Sequence, residues 1–109
     1  TANATAALLL WIARRRVPGS DAMMDLLWRP LDARREDENQ IDDFIGAALP
    51  PGSKLWSKAG WTSEVRHDAA YIELPGGRRL VLVIFTRGQS ENKDVVPTIA
   101  RNVLAEVTN

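Results

Sequence analysis

Apolar residues at helical spacing dominate the first part of the chain. They predict a helix over residues 6–16, which Asn3 or Thr5 caps and Pro18 ends. The middle of this helix is apolar on almost every side, which is typical of a helix surrounded by other protein. We therefore expect its packing partners to come partly from elsewhere.

Two more helices are predicted before residue 53. Ser20 caps one of them, and Pro30 stops it. Apolar residues recur at helical spacing over residues 41–49 and predict the other, which Pro50 ends. The charged run between these two helices, residues 32–40, is interpreted as a surface turn.

From residue 53 the pattern becomes that of strands. One is predicted over residues 54–58 and one over residues 68–74. A third begins at Arg79 and ends at Thr86, and the loop 75–78 between the last two contains two glycines that suit a tight hairpin. Residues 80–85 are all apolar, so both faces of this strand should be covered and the strand should lie inside a sheet.

The last apolar pattern has helical spacing and predicts an amphipathic helix over residues 96–107 that lies on the sheet. The predicted fold class is α+β, with helices followed by a three-stranded antiparallel sheet segment and a covering C-terminal helix. Residues 1–52 form part of a helical subdomain, and residues 53–109 form the strands and the last helix. Together they are expected to be part of one larger domain.

Composition excludes several functions. The 14 basic and 14 acidic residues cancel, so there is no basic surface to bind nucleic acid. His67 is the single histidine and there is no cysteine, so neither a metal site nor thiol chemistry is predicted. The apolar stretch near the N-terminus is too short to span a membrane.

Lys58-Ala59-Gly60 is the most informative motif because of the ordered features around it. A Leu-Pro-Pro-Gly turn precedes the motif, and an Asp-Ala-Ala strand start, a Pro-Gly-Gly hairpin, an apolar strand and a helix follow it. In this order the chain resembles the region around the Lys-Thr-Gly motif of class A β-lactamases and related penicillin-recognising hydrolases. The resemblance covers nearly the whole chain and implies the C-terminal portion of a β-lactamase/transpeptidase-like fold.

The resemblance also implies roles for individual residues. Lys58 matches the motif lysine, which helps to hold the substrate carboxylate. Gly60 lets substrate lie against the strand, and the backbone N–H of Trp61 contributes to the oxyanion hole. The family usually has a hydroxyl at the position of Ala59, so Thr62 or Ser63 is expected to substitute for it or β-lactam binding is weakened.

Arg66 is a candidate for a second positive charge near the substrate carboxylate. The family's nucleophile motif, Ser-x-x-Lys, should precede the Lys-Thr-Gly strand. The match at Ser90 and Lys93 follows it, and Ser90 or Asn92 is more simply a helix cap. Ser20-Asp21-Ala22 imitates the family's Ser-Asp-Asn element but lacks the asparagine. We therefore expect this chain alone to be inactive.

The resemblance implies a β-lactam or a D-alanyl peptide-like substrate, no cofactor, and a periplasmic or secreted location. A D-alanyl carboxypeptidase or an esterase remains an alternative, as does a non-catalytic α+β binding module. The N-terminal half of the same protein or a second copy is expected to cover the strand from Arg79 to Thr86.

Overall fold

The computed structural model describes residues 1–32 and 38–108. Most of the predicted surface turn, residues 33–37, lies outside this part. The elements in chain order are helices α1 (Ala2–Ala13) and α2 (Ser20–Leu27), strand β1 (Trp28–Arg29), the short 3-10 helices η1 (Glu38–Gln40) and η2 (Ile45–Ala48), strands β2 (Lys54–Trp61), β3 (Val65–Glu73) and β4 (Arg79–Arg87), and helix α3 (Val95–Thr108).

The sheet has four strands where the sequence predicted three. Their order is β1-β2-β3-β4, and all neighbours are antiparallel. The additional strand β1 contains only Trp28 and Arg29, which pair with Trp56 and Leu55. Two residues are too few to show an alternating pattern in the sequence. The α+β architecture itself, with the hairpin and the C-terminal helix, is confirmed.

The first two helices begin at other residues than predicted. Thr1 caps α1, because its hydroxyl oxygen accepts a hydrogen bond from the Ala4 backbone N–H at 3.1 Å. The caps predicted at Asn3 or Thr5 are wrong. The N-cap of α2 is Gly19, whose φ is 81°, and the hydroxyl of Ser20 instead donates to the Val17 carbonyl at 2.5 Å.

The helix predicted over residues 41–49 is also wrong. Its second half is the 3-10 helix η2, and Phe44 before it has an extended backbone with φ −133° and ψ −161°. Gly46 packs so closely that a Cβ there would lie 2.7 Å from the Ile41 side chain and 3.1 Å from the Leu55 side chain. Close tertiary packing therefore decides the backbone of this segment against its local helical pattern.

The sheet separates two layers. Alternation along the strands turns Leu55, Ala70 and Ile72 to one face, where they form the main core with η2 and α3. Helix α1 packs against β3 and β4 on the opposite face. That face carries an aromatic row across three strands: Trp28 and Trp56 have ring centroids 5.0 Å apart, and Trp56 and Tyr71 5.6 Å apart.

Strand β4 has helices over both of its faces, since α1 packs on one and α3 on the other. This explains why residues 80–85 are apolar at every position. Among the described residues, however, β4 pairs with β3 alone and is the last strand of the sheet. Helices of this chain therefore cover both faces of β4 without the expected second half or copy, whereas its second edge has no strand partner in the described part of the chain.

No helix in the part of the chain that the structure describes is long and apolar enough to cross a membrane.

Candidate active-site edge

The second half of β2 forms an open strand edge. Strand β1 reaches only Trp56 and Leu55, so beyond them no described strand continues alongside β2. The backbone groups of Ser57 and Ala59 point to this side, because the Ser57 carbonyl accepts from Arg29 Nε at 3.1 Å and the Ala59 N–H donates to Gln40 Oε1 at 2.7 Å. We call the stretch from Lys58 to Trp61 on this side the β2 edge.

Trp61 lies two residues beyond Ala59, and backbone groups alternate sides along a strand. The neighbouring Thr62 N–H donates to the Val65 carbonyl at 3.0 Å, across the turn toward β3. The Trp61 N–H therefore faces the β2 edge. Next to it, a Cβ on Gly60 would meet no atom within 4 Å, so there is space for a ligand along the backbone.

Lys58 lies at the β2 edge with an ammonium held close to the backbone. Its Nζ donates to its neighbour's carbonyl, Ala59 O, and lies 3.4 Å from Gln40 Oε1. The same amide oxygen accepts from the Ala59 N–H. The structure thus brings Lys58, Gly60 and Trp61 together on one strand, with one cation and one directed N–H. Sequence reasoning missed Gln40, because it lies 18 residues from Lys58 and belongs to a charged run with no periodic pattern.

The side chains of the remaining predicted substrate-binding residues make other contacts. The methyl group of Ala59 belongs to the main core, with 1% of the residue exposed. The Thr62 hydroxyl accepts from the Glu64 and Val65 N–H groups and so closes the turn between β2 and β3. Ser63 contributes its carbonyl to a hydrogen bond from the Ser90 hydroxyl at 2.9 Å. The structure thus assigns these three residues packing and turn contacts.

Arg66 lies behind Trp61 and is buried, with 6% of the residue exposed. Its guanidinium stacks 4.4 Å from the centroid of the Phe44 ring and 6.0 Å from that of Trp61. It also donates to the Ser90 carbonyl at 3.2 Å and lies 3.9 Å from a carboxylate oxygen of Asp43. These contacts join the turns at Phe44, Trp61 and Ser90, and they leave little of the charge exposed toward a ligand.

Asp68 is a buried carboxyl group that the sequence reasoning treated only as a strand start. It is fully buried, and its Oδ2 accepts from the Ile45 N–H at 2.9 Å. Burial raises its pKa from 3.8 to about 6, against the lowering effects of backbone hydrogen bonds from Ile45 and Ala69 and of the charges on Arg29 and Lys58. A signal was present, because Asp68 stands two residues before Ala70 on the apolar face of β3.

Two sequences imitate family motifs, at Ser90 and at Ser20, and neither serine has the contacts of a nucleophile. Ser90 donates to the Ser63 carbonyl, and Asn92 accepts from the Asp94 N–H at 3.0 Å just before α3. Ser20 bonds Val17, while Asp21 forms an ion pair with Arg15 at 2.7 Å. Ser90 does not cap α3 as predicted, because its hydroxyl bonds to the Ser63 carbonyl. Asn92 does not cap it either, since its side chain closes a turn before the helix.

His67 pairs across the sheet with Gly60 and Phe85. Its Nδ1 accepts from the Thr86 N–H at 3.1 Å, and its ring lies 4.3 Å from that of Phe85. Over residues 1–32 and 38–108, no group of three or more histidine or acidic side chains could hold a metal ion.

The order of the elements matches the class of serine hydrolases that the sequence pattern resembles. A family model described as the beta-lactamase enzyme family, Beta-lactamase2, matches residues 1–107. The chain therefore belongs to this family. Among curated proteins, no significant match was found.

Solved structures share the fold. A structure of PBP-A aligns with a TM-score of 0.73 and 21% identity over 94% of this chain. A mutant of PBP-A, in an acyl-enzyme complex with penicillin G, aligns with a TM-score of 0.74 and 21% identity over 94% of this chain. A representative class A beta-lactamase from Bacteroides cellulosilyticus DSM 14838 aligns with a TM-score of 0.74 and 16% identity over 98%. The chain spans only 38–41% of those chains.

Proposed function

We propose that this chain forms the substrate-binding edge of a β-lactamase-like serine hydrolase, which opens the β-lactam ring through an acyl-enzyme. The observation that carries the proposal is the β2 edge. There, the Trp61 N–H points to the open strand edge, the sheet face at Gly60 is unobstructed, and Lys58 supplies a positive charge beside them.

Each of these groups has a task in acyl transfer. Attack on the β-lactam carbonyl develops negative charge on its oxygen, and the Trp61 N–H stabilises that oxyanion together with a second donor. The Lys58 ammonium attracts the substrate carboxylate and strengthens the positive field at the reacting bond. A strand edge also lets the substrate's amide groups align with backbone groups, as an added strand does.

The nucleophile comes from residues outside this chain. The one Ser-x-x-Lys sequence in it, at Ser90 and Lys93, follows the motif strand, and the Ser90 hydroxyl bonds to a turn carbonyl. A serine from the rest of the protein attacks the carbonyl and passes its proton to a base there; the lactam C–N bond breaks, the nitrogen takes up a proton, and water later hydrolyses the ester. This chain alone is therefore inactive in our proposal.

A D-alanyl carboxypeptidase or esterase of the same superfamily is the second candidate. Ala59 keeps this alternative open, because its methyl group is packed in the core and the hydroxyl that the family usually has at this position is missing. The fold and the acyl-enzyme chemistry are the same in both cases. The two candidates differ in the rate at which a penicilloyl ester is hydrolysed.

The rest of the protein is our proposed partner for the uncovered surfaces. The second edge of β4 has no strand beside it in the described residues, and Leu8 and Trp11 on α1 are 51% and 56% exposed. An N-terminal half of the same protein, or a second copy of the chain, covers them. By resemblance to the family, we propose a periplasmic or secreted location.

The test compares Lys58→Ala with Lys54→Ala in the full-length protein. Both lysines lie on β2 and face the same side of it, but Lys54 is remote from the β2 edge. We expect Lys58→Ala to slow acylation by a fluorescent penicillin about 100-fold, because charge at the reacting site is lost, and Lys54→Ala to leave it unchanged.

Nitrocefin hydrolysis separates the two candidates. Rapid turnover that depends on Lys58 supports a β-lactamase, whereas acylation without turnover supports a penicillin-binding hydrolase. If neither reaction occurs in the full-length protein, the proposed function is wrong. The 109-residue chain is assayed beside it and should show neither reaction.

A further inference from the structure

Gln40 makes contacts that neither the motif nor the family match explains. We propose that Gln40 is a positioning residue, which holds the Lys58 ammonium and the backbone of the β2 edge through a single amide oxygen. The importance of this role for acylation rests on the proposed function, but the positioning itself does not.

The first contact replaces a missing strand. The Ala59 N–H points away from β3, and no described strand lies there to accept from it. An amide that is unpaired and shielded from water costs free energy comparable to a lost hydrogen bond. Gln40 Oε1 lies 2.7 Å from the Ala59 nitrogen and accepts its hydrogen, as the carbonyl of a neighbouring strand does elsewhere in a sheet.

The second contact restrains the side chain of Lys58. Gln40 Oε1 lies 3.4 Å from Lys58 Nζ, and the ammonium also donates to the Ala59 carbonyl. A lysine has four rotatable bonds and loses much rotamer entropy when it is held in one place. Two acceptors, the Gln40 amide oxygen and the Ala59 carbonyl oxygen, confine the ammonium to the β2 edge.

Gln40 is itself held by the core. It ends η1, and the segment that follows is attached to the sheet through the Ile45 N–H, which donates to the buried Asp68 carboxyl at 2.9 Å. Phe44 beside it is 1% exposed and packs under Arg66. The acceptor therefore lies on a segment fixed by tertiary contacts, as positioning requires.

The first experiment uses Gln40→Leu, with Gln89→Leu as the matched control. Gln89 is exposed, lies beyond β4, and accepts a hydrogen bond only from Asn92 among the contacts described. In the 109-residue chain, we expect amide hydrogen exchange of Ala59 to become about five- to tenfold faster in Gln40→Leu. Relaxation of the Lys58 ammonium nitrogen should report larger motion, and neither value should change in Gln89→Leu.

A second variant separates the two contacts. Gln40→Glu keeps an acceptor oxygen for the Ala59 N–H, so exchange at Ala59 should return to the wild-type rate. It also places a negative charge beside Lys58, which neutralises the field offered to an anionic substrate. In the full-length protein we expect acylation to be slowed on the order of tenfold by both Gln40 variants, but exchange at Ala59 to be raised only by Gln40→Leu.

Exchange at Ile72, in the core, shows whether each variant is folded. Unchanged exchange at Ala59 and unchanged Lys58 motion in a folded Gln40→Leu protein would overturn the proposal. A full-length wild-type protein that reacts with no β-lactam would instead overturn the proposed function, while the two NMR measurements still decide whether Gln40 positions Lys58.

Discussion

The two faces of the sheet are covered to different degrees. On the face toward η2 and α3, the closed face, five apolar strand residues are at most 5% exposed: Leu55, Ala59, Ala70, Ile72 and Ile84. On the α1 face, the strand residues at the alternate positions are half-buried or exposed, and Phe85 is 43% exposed. One core is therefore complete within this chain, whereas the other surface is only partly covered.

This difference separates stability from assembly. Burial of apolar area on the closed face gives the chain a core of its own. The α1 face keeps large apolar side chains in contact with solvent, which is typical of an interface. The chain spans 38–41% of the solved structures that share its fold, and it is on this side that our proposed partner, the rest of the protein, would pack.

The largest effect on stability is expected from the closed face. Ile72 is fully buried between Leu55 and Leu80 on the neighbouring strands. Replacing it in Ile72→Ala leaves a cavity and should lower the free energy of unfolding by about 3–4 kcal/mol. Urea denaturation of the 109-residue chain measures this, with Val83→Ala on the α1 face as the comparison. Equal losses in the two variants would contradict the distinction between the faces.

The buried carboxyl of the closed face should make stability depend on pH. The pKa of Asp68 is raised to about 6 in the folded chain, from 3.8, so the folded state binds this proton more tightly than the unfolded state. The protonated group therefore makes its full contribution to the free energy of unfolding below about pH 4, and this contribution is lost as the pH rises to about 6. The loss through this window should reach about 3 kcal/mol.

Asp68→Asn keeps a neutral acceptor for the Ile45 N–H and removes the titration. We expect its unfolding free energy to lack this decrease between pH 4 and 6, relative to the wild type, when both are measured by denaturation across the range. Asp21→Asn, at an 88% exposed side chain on the protein surface, is the control. A wild-type profile that matches that of Asp68→Asn would show that the carboxyl titrates normally.

The smallest effect on the stability of this chain is expected from a substitution on the exposed side of α1. Trp11 is 56% exposed, so Trp11→Ser should change the stability of the 109-residue chain by less than about 1 kcal/mol. If the rest of the protein covers this side chain, the same variant should destabilise the full-length protein by about 3 kcal/mol or more. Thermal unfolding of both forms provides the comparison, and equal small changes would place the missing portion elsewhere.

Much of the fold was predictable because the strands and the last helix have strong periodic patterns. The hairpin between β3 and β4 and helix α3 occur where the sequence placed them, within a few residues. The helix predicted over residues 41–49 does not form, because tertiary contacts of Gly46 and Ile45 override the helical spacing of the apolar residues. Strand β1 was not predicted, because its two residues are too few to show an alternating pattern.

The candidate site divides in the same way. Lys58, Gly60 and Trp61 were proposed from the resemblance to the Lys-Thr-Gly motif, and the structure extends the strand predicted over residues 54–58 to Trp61, so that all three lie on β2. Arg66 was placed at the site from its charge alone, yet it is stacked against Phe44 and buried. Gln40 could not be found, since its contact with Ala59 joins residues 19 positions apart.

The sequence by itself determined the α+β order of elements and the motif strand, because alternation and helical spacing report which faces of an element are buried. Periodicity contains no information about strand edges. Only the tertiary structure decided that α1 and α3 cover the faces of β4, that the β2 edge stays open beyond β1, and that a glutamine amide takes the place of a strand there. Those arrangements depend on hydrogen bonds and packing between distant residues, which local patterns do not encode.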